Sequence, residues 1–169
     1  MKNPMLVPLR AAALERQLSP SDAQTLLGNV RVLQGMAQRH ETQTLLRGKK
    51  LALLCSSDGG ADAILFRDAA SALGAHVSHI RAQLADLIQP DDVQQTARML
   101  GRLYDAVECQ GLAPSLVDVL RRDAGVPVYD GLASEAHPCA QLVDKIRAAE
   151  PSASLRELVV QAVLLSTIA

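Results

Sequence analysis

Residues Leu51 to Val77 read LALLCSSDGGADAILFRDAASALGAHV. The run Leu51–Cys55 is apolar without alternation, the pattern of a strand covered on both faces. Ser56-Ser57-Asp58-Gly59-Gly60 interrupts it, after which Ile64, Leu65, Ala69 and Leu73 return at helical spacing. A strand, a glycine turn and a helix N-terminus in succession gather unpaired backbone N–H groups at the positive end of a helix dipole, a place suited to an anion such as phosphate. Yet this stretch holds Asp58 and Asp62 and, up to Phe66, no lysine or arginine.

The same alternation recurs outward from this unit. Ser19-Pro20-Ser21-Asp22 is a helix start, followed by Leu26, Leu27, Val30, Leu33 and Ala37, which predicts a helix over 20–39. Helices are predicted near 61–73, 91–102, 114–124 and 138–149, and strands at KLALLC, AHVSHI, YDAVEC and VPVYD. Four short β-rich runs separated by helices predict one α/β domain of three layers, a four-stranded parallel sheet covered on both faces. Glu150-Pro151-Ser152 closes the series, and Ser154 can cap a last helix, LRELVVQAVLLSTIA. Its apolar residues lie on nearly every side, so it is expected to pack back against two elements at once. In open parallel sheets ligands sit outside the carboxyl ends of the strands, which here are Ser56–Gly60, Ile80–Asp86, Cys109–Gly111 and Asp130–Pro138.

Composition narrows the function classes. The chain of 169 residues is 49% hydrophobic and 21% charged, enough for a real core. A formal charge of −1 and 2% aromatic residues give neither bulk attraction to nucleic acid nor base-stacking platforms, so nucleic acid is not an expected partner. The longest apolar run, LVVQAVLLSTIA, is shorter than the ~20 residues of a membrane span, and Pro4, Pro8 and Arg10 interrupt any signal-peptide core. No membrane partner and a cytoplasmic location are expected. Cys55, Cys109 and Cys139 are odd in number and lack C-x-x-C spacing, which predicts reduced thiols and no structural zinc. A thiol or metal cluster of these cysteines with His137 at the strand ends is the lesser reading, and no metal and no cofactor are expected.

The segments LRGKKLALL, AASALGAHV, TARMLGRLYDAVE, AGVPVYDGL and EAHPCAQLVD, running ungapped from about Leu46 to Asp144, resemble the carbamoyl-phosphate-binding half of ornithine carbamoyltransferase and, less closely, of aspartate carbamoyltransferase. The resemblance implies that Gly48, Gly74, Gly101, Gly111, Gly125 and Gly131 serve turns of the fold. It also implies where a ligand would be held. The family's Ser-Thr-Arg-Thr-Arg clamp falls on Gly59, Gly60, Ala61, Asp62 and Ala63, and its Arg-Gly after the third strand on Gln110-Gly111. The family's Ser-Gln-x-Gly-His-Lys-Glu-Ser loop is replaced by LADLIQPDD. The family's His-Pro-Cys-Gln is similar to His137-Pro138-Cys139-Ala140, which implies for His137 the relic catalytic role of polarising the carbamoyl carbonyl oxygen, with the glutamine one place on at Gln141, about 100° further round a helix.

Ser57, Asp58, Gly59, Gly60, Asp62, Gln110, His137 and Gln141 are therefore the candidate remnant of a ligand site. Asp58 and Asp62 read first as caps of the helix that follows, and His137 as a cap before Pro138. Residues 1–150 are expected to form the carbamoyl-phosphate-binding-like domain and 151–169 a helix closing on it, with no amino-acid-binding domain. Two functions follow from the resemblance. One is a non-catalytic partner, self-associating as a homotrimer or binding a full-length carbamoyltransferase, for which carbamoyl phosphate is a doubtful ligand. The other is a carbamoyl-phosphate-binding transferase of arginine or pyrimidine metabolism completed by another chain. The self-association surface is expected around the second and third strands and their helices, with Met99, Leu100 and Leu103 supplying apolar area and Cys109 facing the neighbour.

Overall fold

The computed structural model describes residues 6–55, 60–81, 90–146 and 155–168. In chain order these form α1 (Ala11–Glu15), α2 (Pro20–Gln38), β1 (Lys50–Cys55), α3 (Ala61–Ala72), β2 (His76–Arg81) and α4 (Pro90–Leu103). They continue with β3 (Ala106–Gln110), α5 (Pro114–Asp123), β4 (Val128–Asp130), a 3-10 helix (Pro138–Lys145) and α6 (Leu155–Ile168). The strands pair in the order β2-β1-β3-β4, and every pairing is parallel. From β1 the chain steps outward to β2 and then crosses back to β3. The carboxyl ends of β1 and β3, where Cys55 and Gln110 are register partners, are thus the switch point at which the connecting chains diverge.

β1 shows why its sequence does not alternate. Leu51, Leu53 and Cys55 join one buried cluster with α1, α2, α3, the 3-10 helix and α6, whereas Ala52 and Leu54 join a second with α4 and α5. Both faces of the strand are dry, so both sets of side chains are apolar. Ser19 caps α2 as its sequence predicts, its hydroxyl accepting from the Asp22 N–H at 3.1 Å. Gly101 permits close approach of α4 and α5, since a Cβ there would stand 1.7 Å from the Ala124 carbonyl oxygen. Gly74 combines φ of 89° with a backbone oxygen of Gln43 at 2.4 Å from the same imagined atom, so only glycine turns the chain from α3 into β2.

The structure adds one element and corrects two expectations. The short helix α1 is absent from the sequence reading, because five residues are too few to display a helical period. The helix expected over 138–149 is wound as a 3-10 helix, with the Ala140 N–H bonded to the His137 carbonyl, and its buried residues Cys139 and Leu142 recur every third position. Leu100 and Cys109 do not lie on a free surface. Both are buried in the cluster between the sheet and α4–α5, leaving Met99 and Leu103 as the outward apolar residues of α4.

Helix α6 packs against α2, α3 and the 3-10 helix, and Leu158–Leu165 are all buried. Its polar residues are bonded inside that contact. The Gln161 amide donates to the Ala69 carbonyl at 3.2 Å, and the Ser166 hydroxyl donates to Ala162 and accepts from the Asn29 amide. Asn29 also exchanges two hydrogen bonds with the backbone of Val7, so one α2 side chain ties together both ends of the described chain.

Candidate ligand site at the carboxyl ends of the strands

Of the loop after β1, Ser57, Asp58 and Gly59 lie outside the described residues. Gly60 is the N-cap of α3, with extended backbone and no side-chain cap. Asp62 stands in the first turn of α3, where its charge suits the helix dipole. Its partner, however, is Arg156 of α6, whose guanidinium reaches the carboxylate at 3.5 Å, lies 3.6 Å from Glu135 and donates to the Ala133 carbonyl. The cation lacking in the loop therefore arrives from the far end of the chain. Sequence reasoning missed it, although Arg156 is the sole cation of LRELVVQAVLLSTIA. With Arg156 36% and Asp62 43% exposed, this pair contributes at most ~1 kcal/mol, and its weight lies in neutralising the site.

On the other side, His137 is buried and caps the 3-10 helix as expected. Its Nδ1 accepts from the Cys139 N–H at 3.1 Å, which leaves the proton on Nε2, and Nε2 donates to Glu15 at 2.9 Å. Glu15, with only 2% of its side chain exposed, also accepts from Arg121 at 2.6 Å and from the Asp130 N–H at 2.9 Å. α1 exists to place this carboxylate beneath β4, and a reading without α1 has no means of finding it.

Glu108 is a further buried acid that the sequence reading did not single out. Its carboxylate accepts from the Leu132 N–H at 2.9 and 3.2 Å. Burial pushes its carboxyl well above the usual carboxylate range, the Leu132 N–H pulls the other way, and Glu15 adds to the rise. A folded state that holds this proton more tightly than the unfolded chain gains stability below the unfolded value and loses it as pH climbs through the raised one. Glu108→Gln is accordingly expected to gain on the natural protein as pH rises from 5 to 8. Thermal melts of both at the two pH values check this, and a constant or shrinking difference contradicts it.

The remaining candidates do not converge. Gln110 ends β3 at the switch point, and its Nε2 is buried with no hydrogen-bond partner. Gln141 is exposed on the 3-10 helix. Among the described residues no group of three or more His, Cys, Asp or Glu side chains could hold a metal ion. Cys55 contacts His79 rather than His137, Cys109 is buried on the opposite face of the sheet, and the Cys139 thiol lies 4.0 Å from the Leu14 carbonyl. No helix among the described residues is long and apolar enough to cross a membrane.

Residues 12–150 match the family of the aspartate/ornithine carbamoyltransferase carbamoyl-P binding domain. The chain belongs to that family. An ornithine carbamoyltransferase of Actinobacillus pleuropneumoniae serotype 5b is 39% identical over 102 residues, which cover 60% of this chain and 30% of that protein. A catabolic ornithine carbamoyltransferase of Streptococcus gordonii is 30% identical over 141 residues, 83% of this chain and 42% of that one. Among solved structures, the ornithine carbamoyltransferase from Pyrococcus furiosus superposes with a TM-score of 0.65 at 26% identity, covering 85% of this chain and 45% of that one. The catalytic subunit of M. jannaschii aspartate transcarbamoylase gives 0.61 at 17% identity over 83% and 45% of the two chains, a likeness of fold. The chain thus spans less than half the length of these relatives. Family membership and the four-stranded parallel α/β fold are as the sequence reading expected.

Proposed function

We propose that this protein is a non-catalytic member of the carbamoyltransferase family, a cytoplasmic assembly or regulatory partner. Residues 1–150 serve as its carbamoyl-phosphate-binding-like domain, and 151–169 close that domain through α6. The observation that carries this reading is the commitment of both His137 ring nitrogens to Glu15 and Cys139. A histidine so held presents no donor to a carbonyl oxygen. Ala61, Ala63 and Gln110 stand where the resemblance places arginines, and losing three charge-assisted contacts at ~1.5–3 kcal/mol each removes ~5–9 kcal/mol of phosphate affinity. The assembly surface proposed is the outer side of α4 and the edge strand β2, where Met99 (52% exposed) and Leu103 (56% exposed) are neighbours at i, i+4. A homotrimer is the arrangement that the resemblance suggests, and a full-length carbamoyltransferase is the alternative partner.

The expected result is no transfer of a carbamoyl group to ornithine or aspartate and no rise in melting temperature at millimolar carbamoyl phosphate. A ligand at ~100 times its Kd would add ~2.7 kcal/mol, a shift of several degrees. In the same preparation, light scattering is expected to find assemblies of the 18.0 kDa protomer. A monomer across a hundredfold dilution, both alone and with a full-length carbamoyltransferase, would rule out the assembly role. Arg156 favours a second reading, in which a partly exposed guanidinium still offers itself to carbamoyl phosphate once another chain completes the site. In that case Asp62→Asn, which removes one of the two carboxylates beside Arg156, confers a ligand-dependent rise in melting temperature.

A further inference from the structure

The Cys55 thiol ends β1 at the switch point, and its Sγ lies 2.8 Å from Nε2 of His79 on β2. Directly across the register on β3 stands Gln110, whose buried Nε2 has no acceptor. These three side chains share one face of the sheet, with Arg81 the register partner of Cys55 and Glu108 the partner of Leu53 one row beneath. We propose that Cys55 is a redox-active thiol, oxidised by small hydroperoxides, with His79 as its proton acceptor and Gln110 as the donor that holds the product oxygen.

The chemistry balances within this group. His79 takes the thiol proton, and the sulfur pair attacks the terminal oxygen of the hydroperoxide. The O–O bond breaks as an S–O bond forms, and His79 returns the proton to the departing alkoxide or hydroxide, giving an alcohol or water. Sulfur loses two electrons to the peroxide and becomes a sulfenic acid, whose oxygen supplies the acceptor that the Gln110 amide lacks. Because Cys55 is only 4% exposed, the reagent must be small. Neither other cysteine can resolve the product, since Cys109 faces the opposite cluster and the Cys139 sulfur rests over Leu14. An external thiol therefore restores it, first as a mixed disulfide with loss of water and then by exchange with a second thiol. Burial pushes the Cys139 thiol up to about 12 and the Cys109 thiol higher still, which makes both inert internal controls.

The full chain is exposed to hydrogen peroxide at pH 7, samples are quenched with catalase and unfolded in dimedone at successive times, and each cysteine is followed by peptide mass spectrometry. Cys55 is expected to acquire the adduct at least tenfold faster than Cys109 or Cys139, and His79→Gln to lose most of that advantage while its melting temperature stays near the natural value. Equal labelling of the three thiols in the folded natural protein overturns the proposal, as does a folded His79→Gln that labels at the natural rate. Should His79→Gln fail to fold, the comparison of the three thiols in the natural protein decides alone.

Discussion

A chain ending at Ser154 is expected to be insoluble or molten. Leu158, Val159, Val160, Val163, Leu164 and Leu165 are all buried in the main cluster, and burial of each such side chain is worth ~1.5–3 kcal/mol. Together they contribute ~9–18 kcal/mol before entropy is charged against them, as much as the whole net stability of an ordinary domain. Their removal also uncovers Phe66, Ala69 and Ala70 on α3, the apolar helix against which α6 packs. The retained chain should keep helical far-ultraviolet dichroism, bind a hydrophobic dye and melt without a sharp transition. A soluble truncated protein with a cooperative melt would refute the expectation. Leu164→Ala in the full chain tests the same contact more gently, with an expected loss of ~2–5 kcal/mol.

Glu15→Ala is the second large loss. One carboxylate accepts from the Arg121 guanidinium, the Asp130 N–H and the His137 ring, so its removal orphans three donors. Breaking a buried pair costs ~3–5 kcal/mol, discounted here to ~2–4 because Arg121 retains some contact with water. For a chain of this size, that amounts to a fall of roughly 5–15 °C in melting temperature. Glu15→Gln, which keeps one acceptor, should fall by less. If Glu15→Ala melts within about 2 °C of the natural protein, the network does not hold the 3-10 helix to β4.

What the sequence shows of this protein divides by range. LALLC, Ser19-Pro20 and the glycine at 74 announce strand, cap and turn through their immediate neighbours, and the parallel sheet follows from how often such units repeat. The phase of α4 is also readable, but which of its sides meets the sheet is not, so sequence alone does not separate the core residue Leu100 from the exposed Met99. The site is less accessible still. Glu15 meets His137 across 122 positions, Arg156 meets Asp62 across 94, and Cys55 meets His79 only because β1 and β2 pair in one particular register. Such partners are chosen by topology, and no local pattern of residue types encodes them. The family resemblance supplies what local patterns lack for His137 and Gln110, whereas it assigns nothing to Glu15, Arg156 or His79.

Asn29 binds Ser166 across 137 residues of chain, and this long reach sets the order of events as the protein folds. Closing so large a loop costs ~4 kcal/mol of chain entropy, against ~3 kcal/mol for joining β1 to β2. The β1–α3–β2 unit is therefore expected to form early and α6 to dock late, once a nearly finished surface is ready to receive it. Pulsed hydrogen exchange should protect the amides of Leu53 and Leu54 before those of Leu164 and Leu165, and the reverse order would contradict this sequence of events. Until α6 docks, the folding chain carries an uncovered apolar face, and a second folding chain nearby is a competitor for it. Yield on refolding should therefore fall with protein concentration even where the finished protein is fully stable.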